Sequence, residues 1–507
     1  MTHTGAARPA DSDRRWLEEV RPADWTNPRP ADRYYLAVVG AGTGGLVSAS
    51  IAAALGASVA LVERDRMGGD CLNVGCVPSK AVLRAARSWS EARSSAGRFG
   101  GPVVTGEGDF GAAMRRMREV RAAMSGIDGA RRFSEMGVDV FFGDAEFADR
   151  ASLLVDGAVR LRFRRAIVAT GARPAIPRIP GLEEAGYLTN ETVFDLEELP
   201  ARLIVLGAGP IGCELGQAFA RFGCEVTLVD REDGVLPGED RAAAAIVHQA
   251  LAEDGVRFVG GADIAGVTRA GGELRMVCRS GRAERRLAAD ALLVAAGRAA
   301  NVDLGLDAAG IEFDDRGILV GDRLRTTHRR VFAVGDVVSE GKFTHVADAH
   351  ARMAVRNALF FGRERVGDLV IPRVTYTSPE LAQVGISSAE IDERDIAADS
   401  YRVSLQDVDR ARLDGEGDGF LTIHVRKGGD EILGATVVSE HAGELLAPAS
   451  VAMKVGVGLA AIGDVVFPYP TVSEAWRKAS DAHRRRKLTP FVRRAIEVYL
   501  GIVRRLS

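Results

Sequence analysis

The run Gly40-Ala41-Gly42-Thr43-Gly44-Gly45 decides the fold of this chain. A short apolar strand at 35–39 precedes it, an Ala-rich helix at 46–55 follows, and a second apolar strand at 58–63 ends on an acid, Glu63. Strand, glycine turn, helix, strand and acid at this spacing make one βαβ unit that binds a dinucleotide. In that unit Gly40 makes the turn and Gly42 lets the backbone approach a pyrophosphate. Gly45 permits helix packing, and Glu63 accepts from a ribose diol. The plan returns with a strand at 203–206, the turn Gly207-Ala208-Gly209-Pro210-Ile211-Gly212, a helix at 213–222 and a strand at 225–230. Gly207, Gly209, Gly212 and Asp230 are therefore the second set, and two dinucleotides are expected.

At about 150 residues per domain, 507 residues make roughly three domains, which excludes a small binding module. Hydrophobic residues at 47% and charged residues at 27% match a globular protein and exclude global disorder. A net charge of -3 supplies no basic field for a phosphate backbone, so nucleic acid is not an expected partner. The five Cys are sparse and odd in number, unlike a disulfide-stapled secreted scaffold, and point to a reducing compartment. The first thirty residues lack an apolar signal core, and no later run reaches about 18 apolar residues. A cytoplasmic protein with no membrane span is expected.

Residues 1–32 show no sustained period and read as a loosely held extension. Residues 84–98 and 110–136 read as two long amphipathic helices over the first sheet. Beyond Ile371, strands at 419–425 and 432–438 mix with an apolar helix at 444–455, the pattern of a separate α+β domain. The stretch 484–507 carries eight basic residues on a partly amphipathic helix, read as a solvated or subunit-capping helix, with peripheral membrane contact as the alternative.

The most specific segment is Gly68-Gly69-Asp70-Cys71-Leu72-Asn73-Val74-Gly75-Cys76-Val77-Pro78-Ser79-Lys80. No His or Cys pair with zinc-like spacing follows it, so no metal site is expected. The segment resembles the redox-active disulfide segment of the class I pyridine nucleotide-disulfide oxidoreductases, which include dihydrolipoamide dehydrogenase, glutathione reductase and mercuric reductase. The resemblance runs from about residue 34 to 490. The stretch 327–336, ending Gly335-Asp336, looks like the second flavin motif, with Asp336 on the ribityl chain. Ala169-Thr170-Gly171 looks like the crossing from the flavin domain to the nicotinamide domain, and Gly297-Arg298 with Asn301 like the return. Glu214 matches the glutamate that pairs with the lysine after the second cysteine, here Lys80.

The resemblance implies an α/β fold of two Rossmann-like dinucleotide-binding domains, one for FAD and one for NAD(P), plus a C-terminal α+β dimerisation domain. It places FAD on 33–165 and 295–369, NAD(P) on 166–294 and dimerisation on 370–490, leaving an extension at 1–32 and a basic helix at 491–507. It implies a homodimer whose active site is shared across the interface. Electrons pass from NAD(P)H through FAD to a Cys71–Cys76 disulfide, with Cys76 next to the flavin and Cys71 the interchange thiol. NADH is favoured, because Asp230 binds a ribose diol and repels a 2′-phosphate, although Arg231 could accommodate one.

One position departs from the family. Its acid/base is a His before Pro with a Glu five residues later; here Glu474 is present but Tyr469 stands in the His position. Tyr is a poor base near neutral pH. Mercuric reductase resembles this chain in having Tyr there, but its C-terminal vicinal Cys pair and N-terminal CxxC are absent. The acceptor is expected to be a small thiol- or disulfide-type molecule. The alternatives are a soft metal ion, a cleavable thioether, a quinone or oxygen, and, in a different class, a non-enzymatic flavin redox or NAD(H) sensor. Cys213, Cys224 and Cys278 read as structural, and His345 and His350 as packing or surface residues near the flavin motif.

Overall fold

Leu36, Ala37, Val38 and Val39 are all buried, so the strand they form is covered on both faces, the condition of a central parallel strand. The computed structural model describes residues 11–106, 108–281, 283–338, 342–360 and 362–506. Strand Tyr34–Val39 pairs in parallel with Val59–Glu63 on one side and Val159–Val168 on the other. Val138–Phe142 and Val331–Ala333 extend this parallel sheet, while Ala145–Asp149 and Ser152–Val155 join it as an antiparallel meander. Helix Thr43–Ala54 leaves the glycine turn and packs with helix Thr344–Leu359 through the core under the sheet. In the second unit of the same design, Arg202–Leu206 pairs in parallel with Glu225–Val229 and Ala291–Val294, with helix Pro210–Phe222 after its turn.

The C-terminal region builds an antiparallel sheet in the order Pro372–Thr375, Glu380–Gly385, Ile432–Ser439, Phe420–Arg426, Ala398–Ser404. Helix Ala442–Val455 and helix Glu474–Arg486 share its core, in which Trp476 is fully buried. The α/β class, with two dinucleotide-binding units and an α+β domain, is thus the one read from the sequence. The chain divides into two compact units, one of residues 11–93, 103–231 and 261–369 and one of 94–102, 232–260 and 370–506.

Three expectations need correction. The extension is not loosely held from residue 11 on: Asp11–Val20 is a helix whose Trp16 and Val20 are buried in the first core, and Asn27 donates to the Phe142 oxygen at 2.8 Å; residues 1–10 lie outside the described residues. The helix expected over 110–136 ends at Ser125, because Gly126 and Gly129 introduce a short 3-10 turn and an extended residue before Ala130–Glu135. The basic helix expected over 484–507 is two helices, Glu474–Arg486 and Pro490–Leu506. They meet at a link ending in Pro490, which is suited to a first helical turn and not to an interior.

Candidate active site

Each dinucleotide turn is shaped by backbone that a side chain would displace. A Cβ at Gly45 would fall 1.7 Å from the Gly40 oxygen, and one at Gly212 would fall 1.9 Å from the Gly207 oxygen. Gly40 and Gly207 have φ of 97° and 110°, and a Cβ on either would meet a carbonyl oxygen at 2.4 Å. The middle glycines differ. A Cβ at Gly42 would have only Gly69 near it, at 3.6 Å, and one at Gly209 would meet nothing within 4 Å. Both are N-caps without a side-chain cap bond, which leaves first-turn amides for a pyrophosphate. The acids are set alike: Glu63 Oε2 accepts from the Ala41 amide at 2.7 Å and Asp230 Oδ2 from the Ala208 amide at 2.6 Å. Burial pushes the Glu63 carboxyl above the usual range.

Gly171 and Gly297 both have positive φ, and around them Asn301 donates to the Thr170 oxygen at 2.9 Å while Thr170 Oγ1 donates to the Asn301 oxygen at 2.8 Å. Asp336 lies beside Arg298, whose Nε is 3.7 Å from its carboxylate and which also bonds Asp70. Burial raises the Asp336 carboxyl, and Arg298 pulls it back. Asp70 immediately precedes Cys71, so Arg298 joins the second flavin-type motif to the cysteine segment. Open glycine turns, uncapped amides and this carboxylate fit an FAD group.

The cysteine segment folds back on itself. Cys71 lies in the short helix Gly69–Asn73 and Cys76 begins the 24-residue helix Cys76–Phe99. Between them Gly75 passes so close to the Asp70 oxygen that a Cβ would meet it at 2.7 Å. Both cysteines are thiols here, with Cys71 half-buried and Cys76 exposed. The Cys71 thiol donates toward Cys76, the main cause that brings Cys76 down to about 6; burial opposes this, and Thr344 and Lys80 add to it. The same bond, with burial, pushes the Cys71 thiol well above its ordinary value. Thr344 Oγ1 lies 3.2 Å from Cys76 Sγ. One turn after Cys76, Lys80 Nζ makes an ion pair with Glu214 Oε2 at 2.8 Å.

Residues that sequence reasoning missed hold this segment. Trp16 Nε1 donates to Asn73 Oδ1 at 2.8 Å, and Asn73 Nδ2 donates to the Met67 and Gly69 oxygens. Arg121, 3% exposed, lies 3.8 Å over the Trp16 ring, bonds Asp13 at 3.0 Å and donates to the Asn73 oxygen. Asn190 donates to the Val74 oxygen. Thr344 sits beside a His that drew notice in the sequence, yet Thr344 touches the cysteine. His345 stacks on Phe343, and His350 is buried. Cys213, Cys224 and Cys278 are buried.

In the second compact unit Tyr469 is exposed and donates its hydroxyl to Asp409 Oδ2 at 2.9 Å, which holds its acidity down. Glu474 is buried at the start of its helix, paired with Arg477 at 2.7 Å and with Lys478 at 3.5 Å.

Residues 34–352 match the family model "pyridine nucleotide-disulphide oxidoreductase", and residues 371–480 match the dimerisation domain of the same family. A mercuric reductase of Lysinibacillus sphaericus is 33% identical over 466 residues, 92% of this chain and 85% of that protein. A dihydrolipoyl dehydrogenase of Staphylococcus aureus is 32% identical over 455 residues, 88% of this chain and 95% of that one. Among solved structures, the HOCl-induced flavoprotein disulfide reductase RclA of Escherichia coli, as its Cu(II) complex, has a TM-score of 0.80 at 27% identity, covering 89% of this chain and all of that one. LpdA of Mycobacterium tuberculosis has a TM-score of 0.81 at 27% identity, covering 88% and 99%. With a family model spanning well over half its length and a thiol pair at the start of a long helix beside the flavin-type motifs, this chain belongs to the pyridine nucleotide-disulfide oxidoreductases, FAD-dependent oxidoreductases that use a pyridine nucleotide.

Proposed function

We propose that this protein uses NADH in preference to NADPH to reduce a small disulfide-type acceptor through Cys71 and Cys76. The observation that carries this reading is the depressed Cys76 thiol, held by Thr344 and Cys71 with the Lys80–Glu214 pair behind it. FAD, when bound, supplies the two-electron relay from the nicotinamide to the cysteine pair. The amides after Gly42, with Glu63, Gly171, Gly297 and Asp336, hold FAD within 33–165 and 295–369. Those after Gly209, with Asp230, hold the nicotinamide nucleotide within 166–294. Dimerisation falls to 370–490, and Tyr469 and Glu474 complete the other subunit's site. The protein works in the cytoplasm; no helix among the described residues is long and apolar enough to cross a membrane.

The chemistry then runs through the chain's own sulfurs. Cys71 passes its proton to the Cys76 thiolate as it attacks one sulfur of the acceptor, forming a mixed disulfide and releasing the first thiolate, which takes that proton and leaves Cys76 a thiolate again. The Cys76 thiolate attacks Cys71 Sγ, releasing the second and restoring the Cys71–Cys76 disulfide. Overall, NADH, one proton and the acceptor disulfide give NAD+ and two thiols. Cys71→Ser should abolish acceptor reduction while NADH-dependent dye reduction persists; full disulfide turnover in that variant would overturn the assignment.

One observation favours a second reading. Tyr469 gives its hydroxyl proton to the hydrogen bond with Asp409, which makes it a weaker acid and no base for Cys71 at neutral pH. An acceptor that needs no protonated leaving group, a soft metal ion bound by the two thiolates, fits that arrangement. Multiple turnovers with Hg(II) or Cu(II) and none with low-molecular-weight disulfides would select it.

A further inference from the structure

The helix Pro490–Leu506 has no buried residue. At 100° per residue its side chains fall into two sectors. Phe491, Ile496, Val498, Tyr499, Ile502 and Leu506 lie within one apolar arc of about 200°, and each is exposed. The remaining arc holds Pro490, Gly501, Glu497 and four arginines. The arginines stand at its edges: Arg493 and Arg504 along one border of the apolar face, Arg494 and Arg505 along the other. Glu497 sits mid-arc and is bonded by Arg494 at 3.2 Å.

This distribution selects an occupant. Arginines on both borders of a wide apolar face can reach outward past it on long apolar stems while that face is submerged. A second copy of the same helix is a poor match, because in either direction of pairing an arginine border meets an arginine border, with one acid per helix to offset two pairs. The dimerisation-domain match also ends at residue 480, before this helix begins. We infer that the helix Pro490–Leu506 binds the surface of an anionic phospholipid bilayer, lying in the plane of the interface with its apolar arc submerged and its four arginines at the phosphate level. At 17 residues with five charges it is not long and apolar enough to cross a membrane, so it holds the enzyme on the surface without spanning it.

The full-length, FAD-loaded protein is to be sedimented with vesicles of phosphatidylcholine alone and of phosphatidylcholine with one third phosphatidylglycerol. The protein should pellet with the anionic vesicles, stay in solution with the neutral ones, and be released as salt rises. Arg504→Ala with Arg505→Ala should weaken binding on the order of thirtyfold, the effect of two surface cations. Tyr499→Glu with Ile502→Glu should abolish it. Both variants should keep the NADH-dependent dye reduction and the elution volume of the parent. Absence of binding to anionic vesicles, equal binding to neutral ones, or undiminished binding by either variant would overturn the proposal. So would a change of oligomeric state in Tyr499→Glu/Ile502→Glu, which would make this face a contact between copies.

Discussion

Glu214 Oε2 lies 2.8 Å from Lys80 Nζ, its carboxylate almost wholly out of solvent and the amine one helical turn beyond Cys76. The two act on the thiol with opposite sign: Lys80 lowers the Cys76 pKa and Glu214 raises it. Lys80→Met should therefore raise the Cys76 pKa from about 6, by roughly one unit for loss of a nearby cation. The iodoacetamide alkylation rate of the reduced protein, followed against pH, reads it. A Cys76 titration unchanged in Lys80→Met would mean that the ion pair does not reach the thiol.

The coupled thiols predict two separate alkylation phases in the reduced parent. Cys76, depressed to about 6, should be mostly thiolate at pH 7 and lose reactivity as the pH falls through 6. Cys71, with its proton committed to Cys76, should follow as a second, slower phase that rises under alkaline conditions. Thr344→Val removes one hydrogen bond into Cys76 and should move the first phase upward. Mass spectrometry of peptides alkylated at pH 7 would assign the phases; predominant labelling of Cys71 would reverse the assignment.

Gly209 and Gly212 should respond to Ala in opposite ways. At Gly212 the new Cβ would sit 1.9 Å from the Gly207 oxygen, so the turn must open and stability should fall by about 3 kcal/mol or more. At Gly209 the Cβ enters open space with ordinary backbone angles, so Tm should hold while KM for NADH rises about tenfold or more, by obstruction of the pyrophosphate. Thermal melts and NADH kinetics on the two variants make the comparison.

Much of this was legible because local spacing and a distant contact coincide. Glu63 ends the strand after the first helix and Asp230 follows directly on the strand after the second, and each carboxylate returns to the amide that follows the first glycine, Ala41 or Ala208. Helix existence was legible from periodicity, but ends were not: Gly126 with Gly129, and Pro490, broke patterns that hydrophobic spacing alone continued. The segment 11–20 was opaque because its meaning lies in residues far along the chain, Asn73 and Arg121, which no window on the extension contains. Thr344 was opaque for the same reason, being 268 positions from the thiol it meets.

Tyr469→His should test the missing base directly. If a disulfide is the acceptor, an imidazole there should raise its turnover by a hundredfold or more, on the order of general-base effects, and add an acidic limb near the His pKa. Asp409→Asn should lower the Tyr469 pKa by removing the carboxylate charge that holds its proton. Steady-state rates against pH with a disulfide substrate read both; a Tyr469→His rate no higher than the parent's would favour the soft-metal reading.

Trp16 packs in the first core and donates to Asn73, so Trp16→Ala should cost about 3–5 kcal/mol and Trp16→Phe, which keeps most of the packing, about 1 kcal/mol. Chemical denaturation of the reduced protein, compared with the parent, measures both. Equal losses in the two variants would show that the hydrogen bond, not the ring, carries the effect.

The docking of Trp16 also sets an order of events in time. Its helix leaves the ribosome before Asn73 and Arg121 do, so Trp16 awaits partners that are synthesised after it. Closing that long-range contact completes the seat of the cysteine segment, and the indole's fluorescence, with a guanidinium stacked on its face, becomes an optical signal that the redox segment has finished folding.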